Sequence, residues 1–450
     1  MARPYDSALH DSAARQATRL EAIQGRFDPW LCGAAIALAV LGVVMVGSSS
    51  IAVAEELEVG PFYFLVRHLM FLGLGAVLCA LVMRTELKSI EKYDRLLLLG
   101  CFGLLLLVFI PGLGHSVNGA QRWINLGVSN FQVVEAVKLM YIVWLASYLV
   151  RFRDEVNATW GAMLKPIFVA CGLMVLLVFQ PDFGSLALML AITAGMLVLG
   201  GVHLPRMAAP VVIGLPLLAI VAIAEPYRMR RLTSFMDPFA DPFNSGYQLA
   251  NALMAVGRGE LTGVGLGASI QKLNYLPEAH TDFILAVIAE ELGFLGVCLV
   301  IGLYALLVGR ALWVGLKCVE MRRHFAGYCA FGVALAISLQ SLVSIGVNLG
   351  LLPTKGLTLP LISSGGSSVM MTCVAVGLLL RVSYELDRAQ RQVARLRGEA
   401  PAPAPSTHDP APARAAAAAH APAADAAMPP AYGTSRLRQR VEPTFGRTTA

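Results

Sequence analysis

Residues 283–309 read FILAVIAEELGFLGVCLVIGLYALLVG, a run in which only Glu290 and Glu291 carry charge. About 20 apolar residues suffice to carry a helix across the roughly 30 Å hydrocarbon core of a bilayer. The run does not alternate polar and apolar residues, as the strands of a membrane β-barrel do. It predicts a transmembrane helix. Similar runs predict others at 30–47, 64–83, 95–111, 132–150, 163–179, 185–200, 207–224, 325–349 and 368–384. Glu135 and Lys138 interrupt the start of the fourth, and the sixth is short. The fold class expected is therefore an all-α integral membrane protein with about ten transmembrane helices, occupying residues 30–385. Composition agrees: 57% of the chain is hydrophobic and 14% charged, against about 25% charged in ordinary soluble proteins.

Orientation follows from the basic residues. Arg3, Arg15, Arg19 and Arg26 precede the first span, and Arg84, Lys88, Lys92 and Arg95 follow the second. Arg151, Arg153 and Lys165 follow the fourth, and Arg310, Lys317, Arg322 and Arg323 follow the eighth. With ten spans all of these fall on one side, which the positive-inside rule makes cytoplasmic, together with both termini. The formal charge of +6 is explained by these loops, and no nucleic-acid partner is implied. The eight cysteines form no CxxC pair; seven fall in apolar segments and Cys318 in a basic loop. Neither a disulfide framework nor a zinc site is indicated. The arm 1–29 is mostly polar and lacks the pattern of a cleavable signal.

Two segments stand apart. Residues 225–282 form a long extracytoplasmic loop between the seventh and eighth spans. Loops beyond about 15 residues in compact proteins are often functional, and this one is rich in Pro, Gly, aromatic and charged residues. Residues 386–450 form a cytoplasmic tail, dominated over 400–430 by Ala and Pro. Pro blocks a stable helix and too few large apolar groups remain for a core, so disorder is expected.

Several outer stretches carry side chains suited to chemistry. Asn118-Gly119-Ala120-Gln121-Arg122-Trp123-Ile124 sets an Arg able to clamp phosphate oxygens beside a Trp able to cover a sugar face; the same pair also suits an interfacial anchor. Glu135 and Lys138 share a helix face, as a structural ion pair or as part of a polar cavity. In Gln180-Pro181-Asp182-Phe183-Gly184-Ser185, Asp182 suits a helix cap. Arg228, Arg230 and Arg231 suit a pyrophosphate or lipid headgroups. Gly263-Val264-Gly265-Leu266-Gly267 is an incomplete GxGxxG outside a strand–helix setting, and reads as backbone flexibility. In Leu276-Pro277-Glu278-Ala279-His280-Thr281-Asp282-Phe283, Asp282 opens the eighth span at the outer surface. An acid there is stabilised by exposed N–H groups and is also a candidate base. Glu278 and Glu290 are its local competitors. Asp282, Ala286, Ala289 and Gly293 trace a narrow small-residue face that a bulky substrate could approach. Leu352-Pro353-Thr354-Lys355-Gly356, followed by Ser363-Ser364-Gly365-Gly366-Ser367-Ser368, can present N–H groups to an anion or serve close helix packing.

In this order, the motifs NGAQRWINLG, QPDFGS, DPFADPFNSGYQ, GVGLGASIQKLNYLPEAHTDFILAVIAEELG and LLPTKGLTLPLISSGGSS resemble the SEDS family (shape, elongation, division and sporulation), and within it the cell-division branch. The resemblance covers about 30–385. There are departures: a family-like FQPSE–K pattern carries Val133 and Val134 in place of Pro and Ser, and Ser364 stands where a Tyr is common.

The resemblance implies a peptidoglycan glycosyltransferase of the bacterial cytoplasmic (inner) membrane, polymerising lipid II into β-1,4-linked strands at the division septum. It implies Asp282 as the general base and a single inverting displacement of undecaprenyl pyrophosphate. Arg122, Lys355, Glu135, Lys138, Glu278 and Ser367 are the candidate substrate-binding residues. Mg²⁺ or Mn²⁺ is an expected cofactor by resemblance alone, since no ligand spacing in the sequence is diagnostic of a metal. The expected partners are a class B penicillin-binding protein, other divisome proteins and membrane lipids. A lipid II flippase and a non-catalytic divisome scaffold are the competing readings, since many helices with internal charges also suit transport.

Overall fold

The computed structural model describes residues 23–396 apart from 118–119, 126, 128–129, 224–225, 245 and 274. The N-terminal arm to residue 22 and the tail from residue 397 lie outside the described residues; residues 386–396, expected to belong to the tail, are helical.

The helices are α1 (Pro29–Ser49), α2 (Ile51–Glu56), α3 (Tyr63–Arg84), α4 (Leu87–Lys92), α5 (Asp94–Leu107), α6 (Val133–Arg151), α7 (Arg153–Ala158), α8 (Trp160–Phe179), α9 (Phe183–Leu199), α10 (Leu204–Ile223), α11 (Pro226–Met236), α12 (Tyr247–Arg258), α13 (Ile284–Glu320), α14 (His324–Asn348) and α15 (Gly366–Leu396). Every expected span coincides with a helix. Among the described residues, however, seven are long and apolar enough to cross a bilayer by length and composition: α1, α3, α6, α8, α13, α14 and α15. The number ten is not reached by that criterion. Helix α5 has 14 residues and α9 has 17. Helix α10 carries Pro210 and Pro216 in its interior.

The helices are sorted by what they face. Most of α6 is buried, from Val133 through Leu149, including its charged Glu135 and Lys138. Helix α3 exposes Val66, Leu69, Leu74, Val77 and Leu81. Long apolar side chains on an outer face suit a lipid environment, where hydrocarbon replaces water as the solvent. The chain is thus a multi-pass membrane protein with α6 at its centre, packed against α5, α9, α14 and α15.

The expected helical membrane fold stands, with a small sheet added and three further corrections. The fold is not wholly helical: β1 (Gly114–Val117), β2 (Ala120–Asn125) and β3 (Asn130–Gln132) form an antiparallel sheet in the order β1-β2-β3. Val117 pairs with Ala120, and Ile124 with Phe131. The outer segment after α10 is not one loop, because it folds into α11 and α12. Nor is α13 continuous: Gly293 takes φ 66° and ψ −164°, splitting it by a kink. Cys318 lies buried within α13, not in a loop.

The kink exists because backbone fills it. A Cβ on Gly293 would lie 2.3 Å from the Gly263 nitrogen, and one on Gly259 would lie 1.8 Å from the Ala289 carbonyl oxygen. Val264 and Gly265 N–H groups donate to the Glu290 and Glu291 carbonyls at 2.9 and 3.1 Å. Ala289 and Gly293 of the small-residue face are therefore packed against the chain's own 259–263 segment and are not open to a substrate. Gly263 serves this close approach, and Gly263, Gly265 and Gly267 all take positive φ.

Candidate active site

The sheet, the turns leading into α9 and α13, helices α11 and α12 and the segment 354–365 line a cavity of about 940 Å³. Its wall includes Arg122, Trp123, Asp182, Glu278, Asp282 and Lys355, with Arg231 from α11. These residues come from five separate stretches of sequence. A cavity of this size at the membrane edge, lined by aromatic, acidic and basic groups, suits a large polar ligand carrying negative charge.

Asp282 sits at the end of a tight turn. Glu278 holds φ at +59°, and its carbonyl accepts from the Thr281 and Phe283 N–H groups at 3.1 and 3.2 Å. Its carboxylate accepts from the Thr281 hydroxyl at 2.6 Å. The backbone of Asp282 is held from the neighbouring helix. Asn348, fully buried at the end of α14, donates to the Asp282 carbonyl at 2.9 Å and accepts from the Ala286 N–H at 3.0 Å. Among the described residues no hydrogen bond holds the Asp282 carboxylate itself. Burial pushes it up to about 7, the nearby Glu278 adds to the rise, and Arg231 opposes it. A carboxyl near neutrality can exchange a proton at physiological pH. A Cβ on Gly356 would lie 3.2 Å from Asp282 Oδ2, so the Lys355-Gly356 segment runs directly beside the carboxylate.

The basic residues are braced in different ways. Arg122 Nε donates to the Gln180 carbonyl at 3.1 Å and Nη2 to the Pro181 carbonyl at 2.7 Å, with Asp182 3.8 Å from Nη1. It ties the sheet to the turn before α9 while lining the cavity. Asp182 caps α9 through the Ser185 N–H at 3.1 Å. Lys355 Nζ lies 4.4 Å from the centre of the Phe183 ring, a cation–π position. Arg231 Nη1 donates to the Thr354 carbonyl at 3.1 Å.

Three expected site residues lie away from the cavity wall. Ser367 accepts from the Gln132 N–H at 2.9 Å and stitches β3 to α15. Lys138 Nζ bonds Glu135 at 2.8 Å and Gln340 at 2.8 Å. This buried trio lines a separate cavity of about 40 Å³. It reaches the main cavity indirectly, since Gln340 donates to the carbonyl of the cavity-lining Thr358 at 3.0 Å. Glu290 is likewise committed elsewhere, accepting from Arg258 at 2.7 Å, from the Ile270 N–H at 3.0 Å and from the Ser269 hydroxyl. Asn348 and Gln340 were missed in the sequence. The available signal was a polar side chain inside an apolar span.

No group of three or more His, Cys, Asp or Glu able to hold a metal comes together among the described residues. The cavity wall does carry two carboxyls, with Glu278 close enough to add to the rise of Asp282. One or two carboxylates are what a Mg²⁺ shared with a substrate's phosphates takes from a protein.

Comparison with known proteins agrees with this architecture. A family model described as cell cycle protein, covering FtsW, RodA and SpoVE, matches residues 29–388. A protein of Xanthomonas oryzae pv. oryzae named "Probable peptidoglycan glycosyltransferase FtsW" is 65% identical, covering 98% of this chain and 94% of its own. A protein of the same name from Halorhodospira halophila is 48% identical over 82% of this chain and 93% of its own. Among solved structures, a chain from the study "Structural coordination of polymerization and crosslinking by a peptidoglycan synthase complex" aligns with a TM-score of 0.66 and 29% identity, over 80% of this chain and 98% of that one. The Thermus thermophilus rod shape determining protein RodA aligns at 0.59 and 27%, over 79% and 96%.

Proposed function

Since the chain belongs to the cell cycle protein family of FtsW, RodA and SpoVE, we propose that its outer cavity is the active site of a peptidoglycan glycosyltransferase, polymerising lipid II with Asp282 as general base. Glycosyl transfer is the activity for which its relatives are named. The observation that carries the assignment of Asp282 is a carboxyl at the cavity wall, poised near neutrality, with its backbone clamped and its oxygens without a hydrogen bond among the described residues.

The chemistry follows from that geometry. A sugar hydroxyl is a poor nucleophile until its proton is removed in the transition state. Asp282 accepts that proton as the hydroxyl oxygen bonds to the anomeric carbon of the donor. The bond from that carbon to the pyrophosphate oxygen breaks on the opposite face, and undecaprenyl pyrophosphate leaves with the electron pair. One displacement inverts an α-linked donor into a β-1,4 bond. Lys355, Arg231 and Arg122, all on the cavity wall, supply positive charge to the leaving group as it accumulates negative charge. A bound Mg²⁺ or Mn²⁺, held by Glu278, would supply further neutralisation of that pyrophosphate. Asn348 acts on the carboxylate only through the backbone and is a positioning residue.

In the cell, this reading places the chain in the bacterial cytoplasmic membrane at the division septum, with both termini cytoplasmic. A class B penicillin-binding protein crosslinks its product, and other divisome proteins surround it. The alignment to a chain of a peptidoglycan synthase complex supports the crosslinking partner. The test is reconstitution with labelled lipid II on a known membrane face. Wild-type protein is expected to yield glycan strands and the Asp282→Asn protein to yield almost none. Relocation of lipid II without polymer would instead mark a flippase, and neither product a scaffold.

A further inference from the structure

At the ends of the helices away from the active-site cavity lie two more cavities, flanking the short helix α4. Along α6 alone, 19 residues separate the two ends by roughly 28 Å. One cavity, of about 410 Å³, is lined by Lys88, Glu91, Lys92 and Arg151; the other, of about 270 Å³, includes Lys88, Arg323, Arg381 and Glu385. Lys88 belongs to both.

The walls are built by specific contacts. Asp94 is buried and accepts from Ser147 at 2.9 Å and Arg151 at 2.6 Å. Glu385 accepts from the Leu87 N–H at 3.0 Å and from Arg381 at 3.1 Å, docking α4 against α15. Arg151 and Arg381 are thus engaged with acids, whereas Lys88 and Lys92 are exposed. The acid beside them, Glu91, is pushed up by burial and by Asp94, against the pull of Arg151 and Lys88.

The groups that follow are ordered like a lipid. Tyr93 comes directly after Lys92 and is 54% exposed, and Leu96 and Leu99, next along α5, are 63% and 68% exposed. An exposed Tyr marks the level of a membrane interface, and Leu96 and Leu99, three residues apart, share one helix face. Basic pockets between membrane helices on the cytoplasmic side bind anionic headgroups. We propose that these paired cavities hold the headgroup of an anionic phospholipid, its phosphate oxygens against Lys88 and Lys92 and its acyl chains along Leu96 and Leu99. A soluble anion would make no use of the apolar strip.

The experiment uses the full chain in detergent micelles. Retention of phosphatidylglycerol and of phosphatidylcholine is read by native mass spectrometry for wild type, Lys88→Gln, Lys92→Gln and the double variant. Lys317→Gln, at an exposed pair with Glu320, is the control. Unchanged melting temperatures establish that the variants fold. Wild type is expected to retain phosphatidylglycerol in preference to phosphatidylcholine. Each site substitution is expected to lower that retention roughly fivefold, the equivalent of about 1 kcal/mol per basic side chain at an anionic surface, and the control to leave it unchanged. Equal retention by the double variant and wild type overturns the proposal. So does displacement of the lipid from wild type by millimolar inorganic phosphate, which would make this a site for soluble anions.

Discussion

Two acids, Asp282 in the turn just before α13 and Glu291 just before its kink, have opposite surroundings. Asp282 lines the cavity and lacks a hydrogen bond to its carboxylate among the described residues. Glu291 is fully buried at the kink and is saturated, with Lys272 at 2.7 Å and Ser48 at 2.7 and 2.8 Å from its oxygens. A saturated carboxylate holds structure, because its charge is already matched and its lone pairs are used. An unsaturated one over a cavity retains the capacity to take a proton from something else. The difference assigns chemistry to one acid and architecture to the other, although the sequence places them nine residues apart in a single run.

The sharpest way to break that contrast is to neutralise each acid. Asp282→Asn nearly preserves shape and removes the base. Polymerisation of lipid II is expected to fall by roughly 10²–10⁴, the usual worth of a positioned general base, with the melting temperature unchanged. Near-normal glycan synthesis would remove Asp282 from the mechanism. Glu291→Gln should do the reverse. It strands the ammonium of Lys272, whose side chain is 8% exposed, and loss of one partner from a buried pair costs about 3–5 kcal/mol. A large fall in melting temperature in detergent, with turnover per folded molecule retained, is the expected result. A stable but inactive Glu291→Gln protein would show that the kink takes part in catalysis.

How much of this contrast was legible follows from what each feature rests on. The membrane helices were legible because apolar runs of sufficient length have few other uses. The break at Gly293 was not, since one glycine in a helical pattern signals only a modest loss of propensity. What makes it a kink is the arrival of Leu261 and Gly263 from a distant loop. The sheet formed by β1, β2 and β3 was missed because three strands of three to six residues are too short for periodicity to mark. Arg122, Asp282 and Lys355 were singled out as separate motifs, and family resemblance rather than spacing suggested that they act together. The contribution of Asn348 could not be read at all, because its hydrogen bonds run to backbone atoms more than 60 residues away.

A subtler probe of the contrast is proton concentration. The carboxyl of Asp282 is raised to about 7 and is a base only when deprotonated. kcat/KM should therefore be flat above that pH and fall roughly tenfold per unit below it, as expected for one essential base. The limb should be read in the free-enzyme parameter over a range where melting temperature is constant. An acid limb near the ordinary carboxylate range, around pH 4, would mean that the cavity does not shift Asp282 and would weaken its distinction from other surface acids.

The smallest effect expected comes from Gly356. It contributes no charge, and its sole claim on the reaction is distance: a methyl group there would stand 3.2 Å from Asp282 Oδ2. Such a contact is tight enough to displace the carboxylate by a few tenths of an ångström but does not meet backbone, so Gly356→Ala should fold. Displacement by about 1 Å in an active site can cost about 10²-fold, so a shift of tenths should cost less than about tenfold in kcat. KM should change little, because neither Lys355 nor Arg231 is altered. Asn348→Ala supplies the complementary perturbation by releasing the backbone of the same residue. If Asp282 acts through its position, the two variants should both lower kcat, and neither should add to the loss in an Asp282→Asn background. Additive losses in that background would mean that Gly356 and Asn348 serve the reaction by some route other than this carboxylate.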